Sequence, residues 1–191
     1  MMRVVIEPGH GGKDPGAVGP NGLCERDVIT EVSHFLASKG GDGIEYILKR
    51  RTAFPSLAAL FAWMSRFKPD VILSLHCDSA AATHASAIVW CYDPDKDRYC
   101  RSALLADTIL AGLCSHIGGP TRVLTAPYLR RRPDGSTYML LPGVLRGRAL
   151  RASVLVELGP MHPRMAEVEW QSRAACGVDA GLRRWVKQEE V

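Results

Sequence analysis

No uninterrupted apolar run in this chain of 191 residues approaches the roughly 18 residues that a membrane-spanning helix needs. The longest, Leu57 to Met64, is broken by small residues and reads as a core helix, so no integral membrane segment is expected. The amino terminus passes from Met1-Met2-Arg3 straight into a strand pattern. Without a separate apolar segment and a small-residue cleavage site, a signal peptide is not expected. Six cysteines stand at 24, 77, 91, 100, 114 and 176, but no C-x-x-C pair, and they read as reduced thiols rather than three bridges. Aromatic residues make up only 7% and hardly interleave with the basic clusters, and no helix-turn-helix signature is visible. The net charge of +4 is therefore not read as a nucleic-acid signal. An anionic polymer or an acidic membrane face fits that charge as well. Internal repeats, low-complexity segments and linkers are lacking too, which predicts one domain over residues 1–191.

What is present is an ordinary balance for one hydrophobic core, with 47% hydrophobic and 23% charged residues. Strand patterns lie at Arg3 to Glu7, Ile44 to Lys49, Val71 to His76, Ala87 to Tyr92 and Ser153 to Leu158. Helical patterns alternate with them. Asp27 to Ser38 puts Val28, Val32, Phe35 and Leu36 on one face, and Gly40-Gly41 stops it. Pro55 to Phe67 opens with proline in its first turn. Arg98 to Ile117 spaces Leu105, Ile109 and Leu113 four apart, and Arg164 to Lys187 carries Trp170 and Trp185. This alternation predicts an α/β fold with a mostly parallel central sheet and helices on both faces. Thr121 to Arg151, with the turn signal Arg130-Arg131-Arg132-Pro133-Asp134-Gly135, is expected to be a long exposed excursion. The arginine run there reads as a solvated loop, or as a clamp for carboxylates.

Three apolar runs end in chemistry. Val4-Val5-Ile6-Glu7-Pro8-Gly9-His10-Gly11-Gly12 closes on a histidine in a glycine-rich turn, Val71 to Asp78 delivers His76, and Ser153 to Gly159 delivers Glu157. Ligands collect at the carboxyl ends of strands in open α/β sheets, so two imidazoles and a carboxylate are expected on one rim. Each residue has a plainer role available. His10 can be a turn histidine and His76 a satisfied core histidine. Glu157 can pair with Arg146, Arg148 or Arg151. Glu25, at a predicted helix start, can serve the helix dipole. Gly12-Lys13 is followed by Asp14 and lacks the spacing of a phosphate loop. Cys24 and Cys77 flank the candidates, but alternation along the strand turns Cys77 away from His76. His34, His84 and His116 read as surface, while His162 follows Glu157 closely enough to watch.

Four segments taken together resemble the zinc-dependent N-acetylmuramoyl-L-alanine amidases of type 3. They are Pro8-Gly9-His10-Gly11-Gly12 with Asp14-Pro15-Gly16-Ala17, then Gly22-Leu23-Cys24-Glu25-Arg26-Asp27, Ser74-Leu75-His76-Cys77-Asp78-Ser79 and Leu155-Val156-Glu157-Leu158-Gly159. The resemblance implies one zinc ion held by His10, Glu25 and His76, with Glu157 as catalytic base. It also implies peptidoglycan as partner and hydrolysis of the amide joining N-acetylmuramic acid to the first L-alanine of the stem peptide. The chain departs from the pattern at Glu7, where the family usually has aspartate, around Ser65 to Pro69, and at Pro160-Met161-His162-Pro163. A lysis enzyme of phage or prophage type, held in the host cytoplasm until it reaches the wall, is the expected setting. A periplasmic wall-remodelling amidase whose leader was removed and a zinc peptidase of carboxypeptidase type are the alternatives. The sequence is silent on oligomeric state.

Overall fold

The structure, a computed structural model, describes residues 1–49, 57–78, 85–90, 96–126, 129–131, 137–139 and 149–189. Among them, six strands form one sheet: β1 (Met2–Pro8), β2 (Ile44–Leu48), β3 (Val71–Asp78), β4 (Ala85–Trp90), β5 (Thr121–Ala126) and β8 (Ala152–Pro160). Its order is β2-β1-β3-β8-β4-β5. All neighbours are parallel except β4, which runs antiparallel to β8. The short strands β6 (Leu129–Arg131) and β7 (Thr137–Met139) form a separate antiparallel ribbon. The helices described are α1 (Glu25–Ala37), α2 (Leu57–Ser65), α3 (Lys96–Ile117) and α4 (Val168–Glu189).

The predicted α/β fold is therefore present, and its core follows from the alternation of side chains along the strands. Val4 and Ile6 of β1, Val71, Leu73, Leu75 and Cys77 of β3, and Val154, Val156 and Leu158 of β8 point to one face. They are buried there under α1, α3 and α4. The predicted helix faces supply the other half: Val28, Val32 and Leu36 of α1 and Leu105, Ile109 and Leu113 of α3 are all buried. Pairing of α3 with α4 is very close, because Gly112, Gly177 and Gly181 bring the two backbones into contact. On the opposite face Leu60 and Met64 of α2 pack on Val5 and Ile72. Toward the carboxyl ends of the strands this second face turns polar, running from Val5 and Ile72 to Glu7 and Ser74, then to His76, Glu157 and Ser86.

Several sequence expectations are corrected. Thr121–Ala126 is not part of an excursion but the parallel edge strand β5, beside β4. An edge strand buries little of itself, and Thr121 and Arg122 are exposed, so no alternating pattern marked it. The last helix does not begin at Arg164. A short 3-10 turn, Pro163–Ala166, precedes α4. β4 begins at Ala85 rather than Ala87. No disulfide joins the cysteines among the described residues, and Cys91 lies outside them. None of the helices described is long and apolar enough to cross a membrane.

Candidate metal centre and active site

Glu25 is the hub of the site. Cys24 is the N-cap of α1 and Glu25 its first helical residue, where an anion suits the unsatisfied N–H groups and the dipole. Its side chain nevertheless turns into the protein and is only 3% exposed. Oε1 accepts the Cys77 N–H at 2.9 Å and faces His76 Nδ1 at 3.0 Å. Oε2 accepts the Ala17 N–H at 2.8 Å and faces His10 Nε2 at 3.1 Å. Burial raises the carboxyl pKa, but the hydrogen bonds from the two imidazoles and two backbone amides outweigh it and hold the group well below the usual carboxylate range.

His10 sits in the turn after β1 with φ 59°, a left-handed conformation that a non-glycine residue rarely adopts, followed by Gly11 at 133° and Gly12 at 59°. The turn is tied down by paired hydrogen bonds between Gly11 and Asp14 and by the Arg26 guanidinium, which donates to the Gly12 carbonyl at 2.9 Å. Pro15 and Ala17 carbonyls accept the Arg26 and Glu25 N–H groups, so loop and helix start close on each other. The Glu25 carboxylate raises the His10 pKa to about 9, against the opposing effect of burial, with Asp14 adding to the rise. For His76, burial opposes the charged form, but Glu25 and the nearby Glu157 and Glu7 carboxylates leave its pKa above the ordinary value.

Two glycines make the convergence sterically possible. A Cβ on Gly9 would collide with the His76 ring. A Cβ on Gly16, itself at φ +69°, would fall 2.5 Å from Glu25 Oε2 and 2.7 Å from His10 Cδ2. The two rings then meet edge to face with centroids 5.1 Å apart. One ligand atom from each of His10, Glu25 and His76 lies within 4.8 Å of the others, a group that could hold a metal ion. Two imidazole nitrogens and a carboxylate oxygen form a donor set that suits zinc, leaving a fourth position open.

Glu157 lies beside this group. It is directly opposite His76 across β3 and β8 and opposite Ser86 across β4 and β8. Its Oε2 is buried with no hydrogen-bond partner among the described residues. Burial raises its pKa to about 7; His76 pulls it down, and the Glu25 and Asp78 carboxylates push it up. Of the arginines considered as ion-pair partners, Arg151 instead approaches Asp70 at 3.7 Å, and Arg146 and Arg148 lie outside the described residues.

The remaining candidates separate from the site. Cys77 turns into the core, and Cys24 Sγ donates weakly to the Gly22 carbonyl at 3.5 Å. His162 packs edge to face on Trp170 at 5.5 Å and is not in the group of possible ligands. His34 is exposed on α1, and His116 contacts the Gly112 carbonyl within α3. His84 and Arg132 lie outside the described residues, while Arg130 and Arg131 belong to β6. One feature escaped the sequence reading: a buried network in which Lys49 Nζ and the Ser74 hydroxyl both donate to the Glu7 carboxylate. Its signal was Lys49 at the end of a strand, recognisable only once β2 is known to lie beside β1.

An open, mostly parallel α/β sheet that carries at its carboxyl rim a His–Glu–His group and a carboxylate with one buried oxygen unpartnered among the described residues is the architecture of a candidate metal centre. Residues 4–175 match the type 3 family described as N-acetylmuramoyl-L-alanine amidase, and the chain belongs to that family. AmiC of Escherichia coli, an N-acetylmuramoyl-L-alanine amidase, is 30% identical over 86 residues, 44% of this chain and 21% of AmiC. LytC of Bacillus subtilis, also an N-acetylmuramoyl-L-alanine amidase, is 28% identical over 145 residues, 74% of this chain and 28% of LytC. The matched part thus spans only 21% and 28% of these two relatives. Among solved structures, the catalytic domain of CwlV from Paenibacillus polymyxa superposes with a TM-score of 0.76 at 21% identity, covering 98% of this chain and 99% of that one. That likeness concerns the fold.

Proposed function

We propose that this chain, as a single catalytic domain over residues 1–191, is a zinc-dependent peptidoglycan amidase. It hydrolyses the amide between N-acetylmuramic acid and the first L-alanine of the stem peptide. The observation that carries the reading is the pairing of a three-donor group with a carboxylate, one buried oxygen of which has no partner among the described residues, in direct register with one of its imidazoles. The substrate class comes from the family to which the chain belongs.

In this reading His10 Nε2, His76 Nδ1 and a Glu25 oxygen hold the ion, and the backbone N–H groups of Ala17 and Cys77 keep the Glu25 carboxylate aimed. Zinc bound there supplies Lewis-acid polarisation of a carbonyl and lowers the pKa of water to about 7. Glu157, with a pKa of about 7, accepts a proton from the attacking water at neutral pH and returns it to the leaving amine. The biological setting proposed is lysis of a bacterial cell, with the enzyme reaching the wall from the cytoplasm once the membrane is breached.

Metal analysis of the purified chain and mass spectrometry of digested sacculi test the chemistry. One zinc per chain and glycan strands freed of stem peptides are expected, and Glu157→Gln should keep the metal and abolish release. Cleavage within the stem peptide instead would replace the amidase reading by a peptidase one. Expression with and without a membrane-permeabilising protein tests the setting: lysis that needs no permeabilisation would favour wall remodelling after export.

A further inference from the structure

We propose that Asp14 is a positioning residue that fixes the tautomer of His10, keeping the proton on Nδ1 so that the Nε2 lone pair is free for the ion. The assignment rests on the metal reading above. His10 presents Nε2 toward Glu25, at 3.1 Å, and Nδ1 toward Asp14 Oδ2, at 2.8 Å. A neutral imidazole has one protonated nitrogen and one lone pair, so Nε2 is a ligand only in the tautomer that carries its hydrogen on Nδ1. An ionised carboxylate accepts and never donates, so Asp14 favours that tautomer; Glu25 Oε2 competes for the proton at Nε2 until an ion takes that position.

The carboxylate is itself held. Oδ1 accepts the Gly16 N–H at 3.1 Å, and the Asp14 backbone exchanges hydrogen bonds with Gly11 at 3.0 and 3.2 Å. One oxygen is thus the anchor and the other the contact to His10. The two histidines are positioned by different devices. His76 ends a central strand and its ring lies on the bare Cα of Gly9, which leaves it little freedom. His10 stands on a left-handed turn with its ring against Gly16 and Glu25, its side chain 24% exposed against 20% for His76. What it has besides packing is a directed hydrogen bond at Nδ1. Because the Asp14 side chain is 64% exposed, the contact contributes little to folding, and its effect is expected in metal binding.

Asp14→Asn discriminates this role from simple turn closure. The amide oxygen can still take the Gly16 N–H, which leaves the amide NH2 facing His10 Nδ1. Donor then meets donor, and the ring is driven to the tautomer with hydrogen on Nε2. Competition with a chromogenic chelator should show zinc affinity about 10- to 100-fold weaker in Asp14→Asn, with the thermal midpoint of the metal-free chain unchanged. Nitrogen-detected imidazole spectra of the zinc-loaded parent should show the His10 proton on Nδ1, and Asp14→Asn should lose that signal. If Asp14 only closes the turn, Asp14→Asn binds zinc like the parent while Asp14→Ala does not, and the proposal is overturned. A parent chain that takes up no zinc overturns the metal reading and this assignment with it, a result distinct from equal binding by parent and variant.

Discussion

Glu157→Gln should make the metal-free protein much more stable at pH 8 and less than about 1 kcal/mol more stable at pH 5. In the folded chain burial holds the Glu157 pKa at about 7, against an ordinary 4.5. Between those two values the folded state keeps a proton that the unfolded chain has lost, so stability falls as pH rises through the interval and the full penalty is present above pH 7. At 1.36 kcal/mol per pH unit the penalty approaches about 3 kcal/mol. Glutamine has the shape of the protonated acid and never ionises, so it escapes that penalty. His10, raised to about 9, contributes stability below its ordinary 6.5 that is lost as pH rises through 9. Its attraction to Glu157, and that of His76, is already contained in the value of about 7, so the sign of the difference stands. Urea unfolding of the chelated proteins at pH 5 and pH 8, analysed at constant slope, measures the effect. A Gln variant equally or less stable than the parent at pH 8 would refute the idea that Glu157 is held against its charge.

Other perturbations test the packing around the site. Gly9→Ala should displace the His76 ring and weaken zinc binding at least tenfold, read by chelator competition, with a loss of about 1–3 kcal/mol in folding from overpacking. Lys49→Met strands the buried Glu7 carboxylate and should destabilise the chain by about 3–5 kcal/mol, while Glu7→Gln combined with Lys49→Met should recover most of it in urea unfolding. Gly181→Ala puts a methyl group onto the Thr108–Ile109 backbone of α3 and should lower stability by about 1–3 kcal/mol without changing zinc affinity, since α4 lies across the core from the site.

The central strands were readable because burial on two sides leaves continuous apolar runs. Val4 to Ile6, Val71 to Leu75 and Val154 to Val156 are all buried, and their runs marked β1, β3 and β8. Helices α1 and α3 were readable because only one face is buried, at the spacing of Val28, Val32 and Leu36 and of Leu105, Ile109 and Leu113. β5 was not, for the opposite reason: an edge strand is constrained on one side only, and Thr121-Arg122 faces solvent. The place of His10, His76 and Glu157 at strand ends followed from the same runs. Glu25 did not; nothing in its own neighbourhood says that a residue 15 positions after His10 folds back into the rim. The family pattern pointed to it, and the geometry brings it there through Ala17 and Cys77.

The proposed chemistry at this rim depends on two glutamates treated in opposite ways by their surroundings. Glu25 is buried yet meets four donors, so it stays an anion at any working pH. Glu157, one strand away from His76, has a buried oxygen with no donor among the described residues and stands close to neutrality at pH 7. Pairs of carboxyl groups driven apart in this way divide into a fixed negative charge and an exchangeable proton. The division is built by the surroundings: the His10 and His76 rings lead in holding Glu25 ionised, and the Ala17 and Cys77 N–H groups add to them. The N–H groups of Ala17 and Cys77 come from the loop before α1 and the end of β3; the first is in place because the loop after His10 closes onto the helix start. The glycine-rich turn therefore does more than free one imidazole. It completes the cage that makes Glu25 an anion, and that charge in turn helps keep the neighbouring Glu157 protonated up to about pH 7.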